Sequence, residues 1–194
     1  MNVLVVVCHP DPASFTHAAF TRVIAGLDAG GHETRLTDLY AEEFDPAMSC
    51  AERRDHKDPE IGPDLRPYAN DLAWAEALVL VHPTWWSGQP AMLKGWIDRV
   101  WVAGVAWTMA DGDSTPTPLL RNIRRIVVVT THGSSKFVNA LQGEGGKRTV
   151  TRSLRGMCSR RARTTWCALY GIDRADSDAR AAFLDRVERT LAGL

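Results

Sequence analysis

The chain has 194 residues, enough for a single domain with a sizeable apolar core. Its 23 basic and 23 acidic side chains balance, so neither nucleic acid nor an anionic membrane is an expected partner, and the arginines between positions 152 and 163 are interpreted as ordinary surface. No apolar run is long enough for an integral membrane segment, and the first residues enter a strand without a basic leader. The four cysteines lack CxxC spacing, which is typical of a reducing compartment. We therefore expect a cytoplasmic protein.

Short apolar runs alternate with amphipathic segments along the chain. We predict strands at residues 3–8, 33–36, 77–81, 126–131 and 164–170. We predict helices at residues 15–30, 65–75, 90–102, 150–157 and 178–191, with further short helices within 49–71. The stretches 111–118 and 132–147 are predicted to be loops. In the last helix, Ser177 is the expected N-cap, and the inward face is expected to comprise Ala182, Phe183, Val187 and Leu191.

This alternation predicts an α/β fold with a doubly wound parallel sheet flanked by helices. Five strands in a chain of this length suit the flavodoxin-like order 2-1-3-4-5, in which ligands bind at the switch point between strands one and three. We find no internal repeat and no interdomain linker, so residues 1–194 are expected to form one domain.

Three strand-to-helix loops meet at that switch point, at residues 9–16, 83–87 and 130–133. The first has neither a GxGxxG nor a GKS/T signature, so it is not a conventional dinucleotide or nucleoside-triphosphate loop. Its hydroxyls and backbone amides at a helix N-terminus can instead hold an anion such as a phosphate. The other interpretation is that Ser14 or Thr16 serves only as an N-cap.

In the second loop, Trp85 and Trp86 are adjacent and cannot both point into the same core. One tryptophan can be a core or interface residue, so at least one is expected to flank a cleft or a partner. The third loop brings hydroxyls and amides to the same place, and its His132 is either a proton donor or a plain hydrogen-bonding residue. No HxH or HExxH spacing occurs, so no metal is expected.

Together these residues resemble the flavodoxin-like NAD(P)H:quinone oxidoreductase family over nearly the whole chain. His9 and the following Ser-Phe-Thr-His-Ala at 14–18 are similar to the family's flavin-phosphate loop, with Thr16 where asparagine is usual. The segment PTWWSGQPAMLKGWIDRV at 83–100 is similar to the family's motif P-x-x-W, then P-x-x-L-K-x-W and a closing acidic, basic and valine triplet. The segment at 130–133 resembles the family's Thr-Thr-Gly-Gly turn, with His132 replacing a glycine.

The resemblance implies a flavin cofactor, FAD or FMN, with NAD(P)H as electron donor. It places the isoalloxazine ring against Thr84, Trp85, Trp86, Ser87, Thr130, Thr131, His132 and Gly133, and the ribityl phosphate against His9, Phe15 and Thr16. It also implies a pocket for a quinone-like acceptor lined by Trp86, Trp107 and Met109, and a homodimer with the site at its interface.

The implied activity is a ping-pong transfer of hydride from NAD(P)H through flavin to a quinone or similar acceptor. The tyrosine and histidine that mammalian members carry after the Thr-Thr-Gly-Gly turn are absent, which leaves His132 as the candidate catalytic side chain. The alternative is a flavin-holding ancillary subunit of a membrane potassium-efflux transporter. A small electron carrier is a third possibility, which the balanced charge disfavours.

Overall fold

Five parallel strands form the central sheet of the computed structural model, which describes residues 1–56, 60–110, 112 and 114–194. In chain order, all the strands of the described residues, including two short ones outside the central sheet, are β1 (Asn2–Val7), β2 (Glu33–Asp38), β3 (Ala77–Pro83), β4 (Trp107–Thr108), β5 (Thr117–Pro118), β6 (Arg125–His132) and β7 (Arg163–Tyr170). The sheet order is β2-β1-β3-β6-β7, and β4 pairs with β5 in a separate antiparallel ribbon. The predicted order 2-1-3-4-5 is therefore confirmed for the five long strands.

Helices pack on both faces of this sheet. They are α1 (Phe15–Ala29), α2 (Cys50–Arg54), α3 (Arg66–Trp74), α4 (Ala91–Val100), α5 (Lys136–Leu141), α6 (Gly145–Arg148), α7 (Arg155–Met157) and α8 (Ser177–Ala192). The segment Thr149–Leu154 between α6 and α7 is a π-helix, and Ile172–Arg174 is a turn of 3-10 helix.

Alternate residues of the central strands feed two separate cores, because successive side chains of a strand point to opposite faces. Val5 and Val79 belong to the core under α1 and α8, where Phe183 and Leu191 are buried. Leu78 and Leu80 of β3, with Ile126 and Val128 of β6, belong to the opposite core, under α3 and α4. Burial on both faces explains why these strands are continuous apolar runs in the sequence.

The predicted loop at 132–147 is wrong, because this segment is largely helical. β6 continues through His132, and α5 and α6 follow. The Ser135 hydroxyl caps α5 by accepting a hydrogen bond from the amide of Val138. Gly143, at φ +85°, lies between the two short helices, where only glycine adopts this backbone conformation without strain. Gly143 therefore separates the two helices, whereas Gly145 and Gly146 belong to α6.

The start of the last helix also differs from the prediction. Asp176, not Ser177, is the N-cap, and its carboxylate accepts a hydrogen bond of 2.8 Å from the Ala179 amide. Phe183 on this helix is buried as predicted, as are Val187 and Leu191, but Ala182 is exposed. The helical period places Ala182 outside the stripe that faces the sheet.

The remaining differences are small. Pro90 is the N-cap of α4 rather than a residue of its first turn, and Thr117–Pro118 forms β5 within the predicted loop 111–118. Other strand and helix ends lie within a few residues of the predicted ones. Within the loop prediction, Asp111 and Asp113 lie outside the described residues, as do residues 57–59 within the polar stretch 49–71.

Candidate active site

The carboxyl ends of β1, β3 and β6 are neighbours, because the sheet order places these strands side by side. At this edge Pro83 pairs with Thr131, and the hydroxyl oxygens of Thr84 and Thr130 lie 3.0 Å apart. The His9 ring lies 6.1 Å from the Trp85 ring between centroids. The three loops therefore meet at one place, as predicted.

The first loop is folded by its own polar side chains. Ser14 caps α1 by accepting from the His17 amide at 3.3 Å, so Ser14 rather than Thr16 is the N-cap. The Asp11 amide donates to His9 Nδ1 at 3.0 Å. Thr16 is buried in the first turn, and the Phe15 ring packs on Phe183 of α8 with centroids 6.0 Å apart. The side chains of Ser14, Phe15 and Thr16 thus fix the position of the first turn of α1 at this edge of the sheet.

The anion-binding capacity of this loop comes from α1 itself. The first amides of a helix have no partner within the helix, and the helix dipole adds positive potential there. The amides of Phe15 and Thr16 make no hydrogen bond to another described residue. This helix start can hold a phosphate without a lysine, and the His9 ring lies beside it.

The second loop is a tight two-residue turn with a strained backbone. Trp85 and Gly88 exchange backbone hydrogen bonds of 3.2 and 3.0 Å, while Trp86 and Ser87 have φ values of +50° and +59°. This geometry is that of a type I′ turn, which ordinarily carries asparagine and glycine. Because Trp86 occupies the tip, its side chain is fully exposed, and Trp85 is 41% exposed. The sequence prediction that one tryptophan flanks a cleft or partner is consistent with this placement.

Helices α5 and α6 hold this turn in place. The Gly146 amide donates to the Ser87 carbonyl at 2.9 Å, and the Ser87 hydroxyl donates to Gln142 Oε1 at 2.7 Å. The Gln89 amide group donates to the Gly146 carbonyl at 2.8 Å. A Cβ on Gly146 would lie 3.1 Å from the Gly88 Cα, so a side chain there would separate the two segments. These contacts support a backbone conformation that costs free energy by itself.

His132, at the end of β6, is buried and held on two sides. Its Nδ1 lies 2.8 Å from Asn139 Oδ1, and its ring stacks on Tyr170 with centroids 4.5 Å apart. Burial lowers the pKa of His132, and this outweighs the opposing effects of the Asn139 hydrogen bond and the Glu144 charge. The imidazole is therefore neutral near pH 7, in a fixed orientation.

An open cavity of about 550 Å³ lies between the second and third loops. Thr84, Trp86, Ser87, His132, Gly133, Ser134, Asn139 and Gln142 line it. A flat heteroaromatic ring suits this space, because hydroxyls and free amides border it beside an exposed indole. Gly133 is packed closely, since a Cβ there would lie 2.9 Å from Asp173 Oδ2.

Trp107 and Met109 do not join this cavity within one chain. They line a second groove of about 610 Å³ whose wall also includes Trp101, Leu154 and Met157. The indole nitrogen of Trp107 donates to the Trp101 carbonyl at 3.2 Å, which fixes its ring. The predicted acceptor pocket of Trp86, Trp107 and Met109 is therefore divided between two surfaces of the chain.

Sequence reasoning missed several side chains that shape the site. Asn139 orients His132, and Gln142 and Gly146 secure the tryptophan turn. These residues lie in the segment that was predicted to be a loop. His82 was also missed, although a histidine that ends a continuous apolar run is itself a signal, because such strand ends lie at the ligand-binding edge of the sheet.

Two classes of feature are not found in the described parts of the chain. None of the helices there is both long and apolar enough to span a membrane. No group of three or more histidine, cysteine, aspartate or glutamate side chains among those residues is arranged to hold a metal ion.

Comparison with known proteins agrees with this architecture. A family model described as a flavodoxin-like fold, Flavodoxin_2, matches residues 1–191. The NAD(P)H dehydrogenase (quinone) 1 of Rattus norvegicus is 32% identical over 167 residues, which cover 77% of this chain and 60% of that protein. The chain therefore spans less than two thirds of that relative's length.

Two solved structures superpose on nearly the whole chain. Smu.1420 from Streptococcus mutans UA159 has a TM-score of 0.88 at 29% identity, with 100% of both chains covered. The NAD(P)H:quinone oxidoreductase from Methanothermobacter marburgensis has a TM-score of 0.85 at 25% identity, and the match covers 99% of this chain and 98% of that one. The chain belongs to the flavodoxin-like Flavodoxin_2 family, the family of the NAD(P)H:quinone oxidoreductases.

Proposed function

We propose that this protein is a flavin-dependent NAD(P)H oxidoreductase that passes a hydride from NAD(P)H through flavin to a quinone-like acceptor by a ping-pong mechanism. The observation that carries the proposal is the strained Trp85–Gly88 turn. It presents an exposed indole to a cavity of about 550 Å³ that Thr84 also lines, beside a helix N-terminus suited to a phosphate. The names of the rat and Methanothermobacter relatives support NAD(P)H as donor and a quinone as acceptor.

The residues present fit a flavin, FAD or FMN. The start of α1 would hold the ribityl phosphate through the amides of Phe15 and Thr16, with His9 beside it. The isoalloxazine would lie against the turn 84–87 and the segment 130–133, where the amides of Trp86 and Ser87 make no hydrogen bond to another described residue. Arg180, at the position where FAD-binding members place an arginine near adenine, is exposed and donates to the Ile172 carbonyl.

Flavin supplies the hydride-accepting ring system in such chemistry, and the protein binds and orients it. In this chain, Trp86 would provide the surface on which the nicotinamide and then the acceptor stack, which explains why an indole is kept exposed. Thr84, whose hydroxyl lies 3.0 Å from that of Thr130, would position the polar edge of the ring. His132 is neutral and fixed, so it would contribute to the site as an uncharged side chain rather than bind the ring by charge.

A homodimer is part of this proposal. Phe137 and Leu141, four residues apart on α5, are each more than 70% exposed, and Gln142 at the end of the same helix lines the cavity together with Trp86. Contiguous exposed apolar side chains of this kind indicate a covered surface. In a homodimer, the groove lined by Trp107 and Met109 on one protomer would complete the acceptor pocket of its partner. We also place the enzyme in the cytoplasm, because its four cysteines are free.

The test is reconstitution of the purified protein with FMN and, separately, FAD. We expect one flavin to be retained, to be bleached anaerobically by NADPH or NADH, and to be restored by a quinone. Trp86→Ala should lower turnover about tenfold, because it removes the stacking surface. Leu36→Ala, a change at an exposed apolar residue of β2 away from the site, is the matched control.

Two outcomes would contradict the proposal. A protein that retains neither flavin is not a flavoprotein of this kind. A protein that retains flavin but is not bleached by either nicotinamide would instead support the flavin-holding ancillary subunit of a transporter.

A further inference from the structure

A small cavity lies beside the ring site. Its volume is about 10 Å³, close to that of one water-sized sphere. His82, His132 and Trp166 line it from the sheet, and Glu144 and Lys147 from the α5–α6 segment. His132 also borders the outer cavity, as do Thr84, Ser87 and Asn139. The His132 imidazole is therefore part of the boundary between the two spaces.

The strand register explains why these three side chains meet. His82 of β3 pairs with Thr130 of β6, and Trp166 of β7 pairs with Val128. Thr130 and His132 are two and four residues beyond Val128, so they share its face of the sheet. On β3 and β6 the same face is apolar nearer the amino ends, where Leu78, Leu80, Ile126 and Val128 lie, and it becomes polar at His82, Thr130 and His132.

Each of the three sheet side chains has a buried polar atom that lacks a partner among the described residues. The atoms are His82 Nε2, His132 Nε2 and Trp166 Nε1. His82 is 1% exposed and His132 is 7% exposed, so bulk water does not satisfy them. Buried polar atoms of this kind are ordinarily paired with protein or with an ordered water.

The hydrogen bonds at the other ring nitrogens determine both histidine tautomers. Asn139 Nδ2 donates to the carbonyls of Ser134 and Ser135, so its Oδ1 faces His132 and accepts from His132 Nδ1–H. His82 Nδ1 lies 2.8 Å from the Pro83 carbonyl oxygen, which can only accept. In the neutral side chains both Nε2 atoms are therefore acceptors.

We propose that this cavity binds one water molecule that donates to His82 Nε2 and His132 Nε2 and accepts from Trp166 Nε1, and that His82 is thereby a positioning residue for His132. One water has the two donors and the acceptor capacity that these atoms require, and three hydrogen bonds are typical of a buried water. Its effect on the ring site rests on the proposed function, whereas the water site itself does not.

The water allows His132 to take up and release a proton at Nε2 without rearrangement of the site. When His132 is protonated, the water turns to accept from Nε2–H while it still donates to His82. The titratable groups around the cavity are His82, His132, Glu144 and Lys147. Burial lowers the pKa of His82 to about 4, so His82 remains the acceptor while His132 titrates.

The test compares His82→Phe with His82→Gln. Phenylalanine fills the cavity and removes the acceptor, whereas the glutamine carboxamide oxygen can still accept from the water. We expect nitrogen-15 NMR of the flavin-free wild type to show His132 protonated at Nδ1. The His132 pKa should fall in His82→Phe and stay near the wild-type value in His82→Gln, because the water stabilises the charged imidazole. A crystal structure of the wild type should show the water in the cavity.

The control is Trp96→Phe, which removes another buried indole N–H that lacks a partner among the described residues, at a residue that does not line this cavity. It should leave the His132 titration unchanged. In the flavin-loaded enzyme, kcat/KM should fall about tenfold in His82→Phe and recover in His82→Gln. An empty cavity, a His132 protonated at Nε2 near neutral pH, or equal titration in both His82 variants would overturn the inference. Flavin binding and bleaching, measured on the wild type, separate that failure from failure of the proposed function.

Discussion

The two halves of strand β6 differ in what they bury on the same face of the sheet. In the amino-terminal half, Ile126 and Val128 are fully buried among apolar side chains. In the carboxyl-terminal half, Thr130 and His132 are almost as deeply buried, yet they are polar, and His132 Nε2 lacks a partner among the described residues. The amino-terminal half stabilises the fold through burial of apolar side chains. The carboxyl-terminal half stabilises it less, because the burial of polar groups costs free energy.

The comparison teaches where this fold can hold chemistry. Both halves have the same backbone pairing, so the sheet itself is equally supported at both ends. Only the carboxyl end receives the strand-to-helix loops of the switch point, and there polar groups can meet a ligand. We therefore expect substitutions in the amino-terminal half to lower the free energy of unfolding without changing ligand affinity. Substitutions in the carboxyl-terminal half should act mainly on ligand affinity.

The largest effect is expected from Ile126→Ala in the apolar half. Removal of a fully buried isoleucine side chain should lower the free energy of unfolding by about 2–5 kcal/mol. Denaturant unfolding measures this loss. Flavin affinity of the folded fraction should not change, and a selective loss of affinity would contradict the division of the strand into two halves.

The second effect concerns His82 at the polar end of β3. Its pKa is about 4 in the folded protein, because burial disfavours the charged form, and about 6.5 when unfolded. Between these values the unfolded state binds a proton that the folded state does not. Stability from this group is complete above pH 6.5, and about 3 kcal/mol is lost as the pH falls to 4.

Unfolding free energies of the wild type and His82→Phe, measured between pH 7 and pH 4, check this expectation. The wild type should lose more stability over this range than the variant. Parallel curves for the two proteins would show that His82 is not buried as a neutral group.

A third, smaller effect is expected from Thr130→Val in the polar half of β6. The change keeps the shape and removes the hydroxyl that lies 3.0 Å from the Thr84 hydroxyl. Stability should fall by about 1 kcal/mol, whereas flavin affinity should fall about tenfold, because Thr84, which lines the ring cavity, loses the hydrogen-bond partner that orients its hydroxyl. Thr37→Val, a buried threonine on β2 away from the site, is the control. An equal loss of flavin affinity in Thr130→Val and Thr37→Val would contradict the specific role of the polar half of β6.

The smallest effect on stability is expected from Trp86→Gly. Glycine adopts the positive φ of this position without strain, so the free energy of unfolding should stay constant or rise by up to about 1 kcal/mol. Turnover should fall, because the exposed stacking surface is lost. Thermal unfolding together with steady-state kinetics measures both. A clear loss of stability would mean that the indole supports the fold rather than a ligand.

Much of the fold could be predicted from local patterns. The bare apolar runs of β1, β3 and β6 indicated buried parallel strands, and the lengths between them limited the order of the sheet. The segment 132–147 could not be predicted in the same way. Its helices α5 and α6 are only six and four residues long, too short to show an amphipathic period, and α6 begins with two glycines, which are poor helix formers.

The residues of the candidate site also differ in whether they could be recognised from local sequence patterns. Thr84, Trp86 and Thr130 were recognisable, because strand ends at a switch point are the expected place for a ligand and adjacent tryptophans are unusual in a turn. The roles of Asn139 and Gln142 were not recognisable. Their roles depend on hydrogen bonds to residues at other places in the chain, such as that of Asn139 to His132 and that of Gln142 to Ser87.

The sequence by itself determined the strands, their order and the three loops that carry the candidate site, because these follow from hydrophobic periodicity and from the rules that connect parallel strands. Only the tertiary structure decided which polar atoms face one another. The tautomer of His132, the cavity between His82 and Trp166, and the separation of Trp107 from Trp86 all depend on strand register and on the packing of α5 and α6. Such distances are set by the whole fold, and no local pattern contains them.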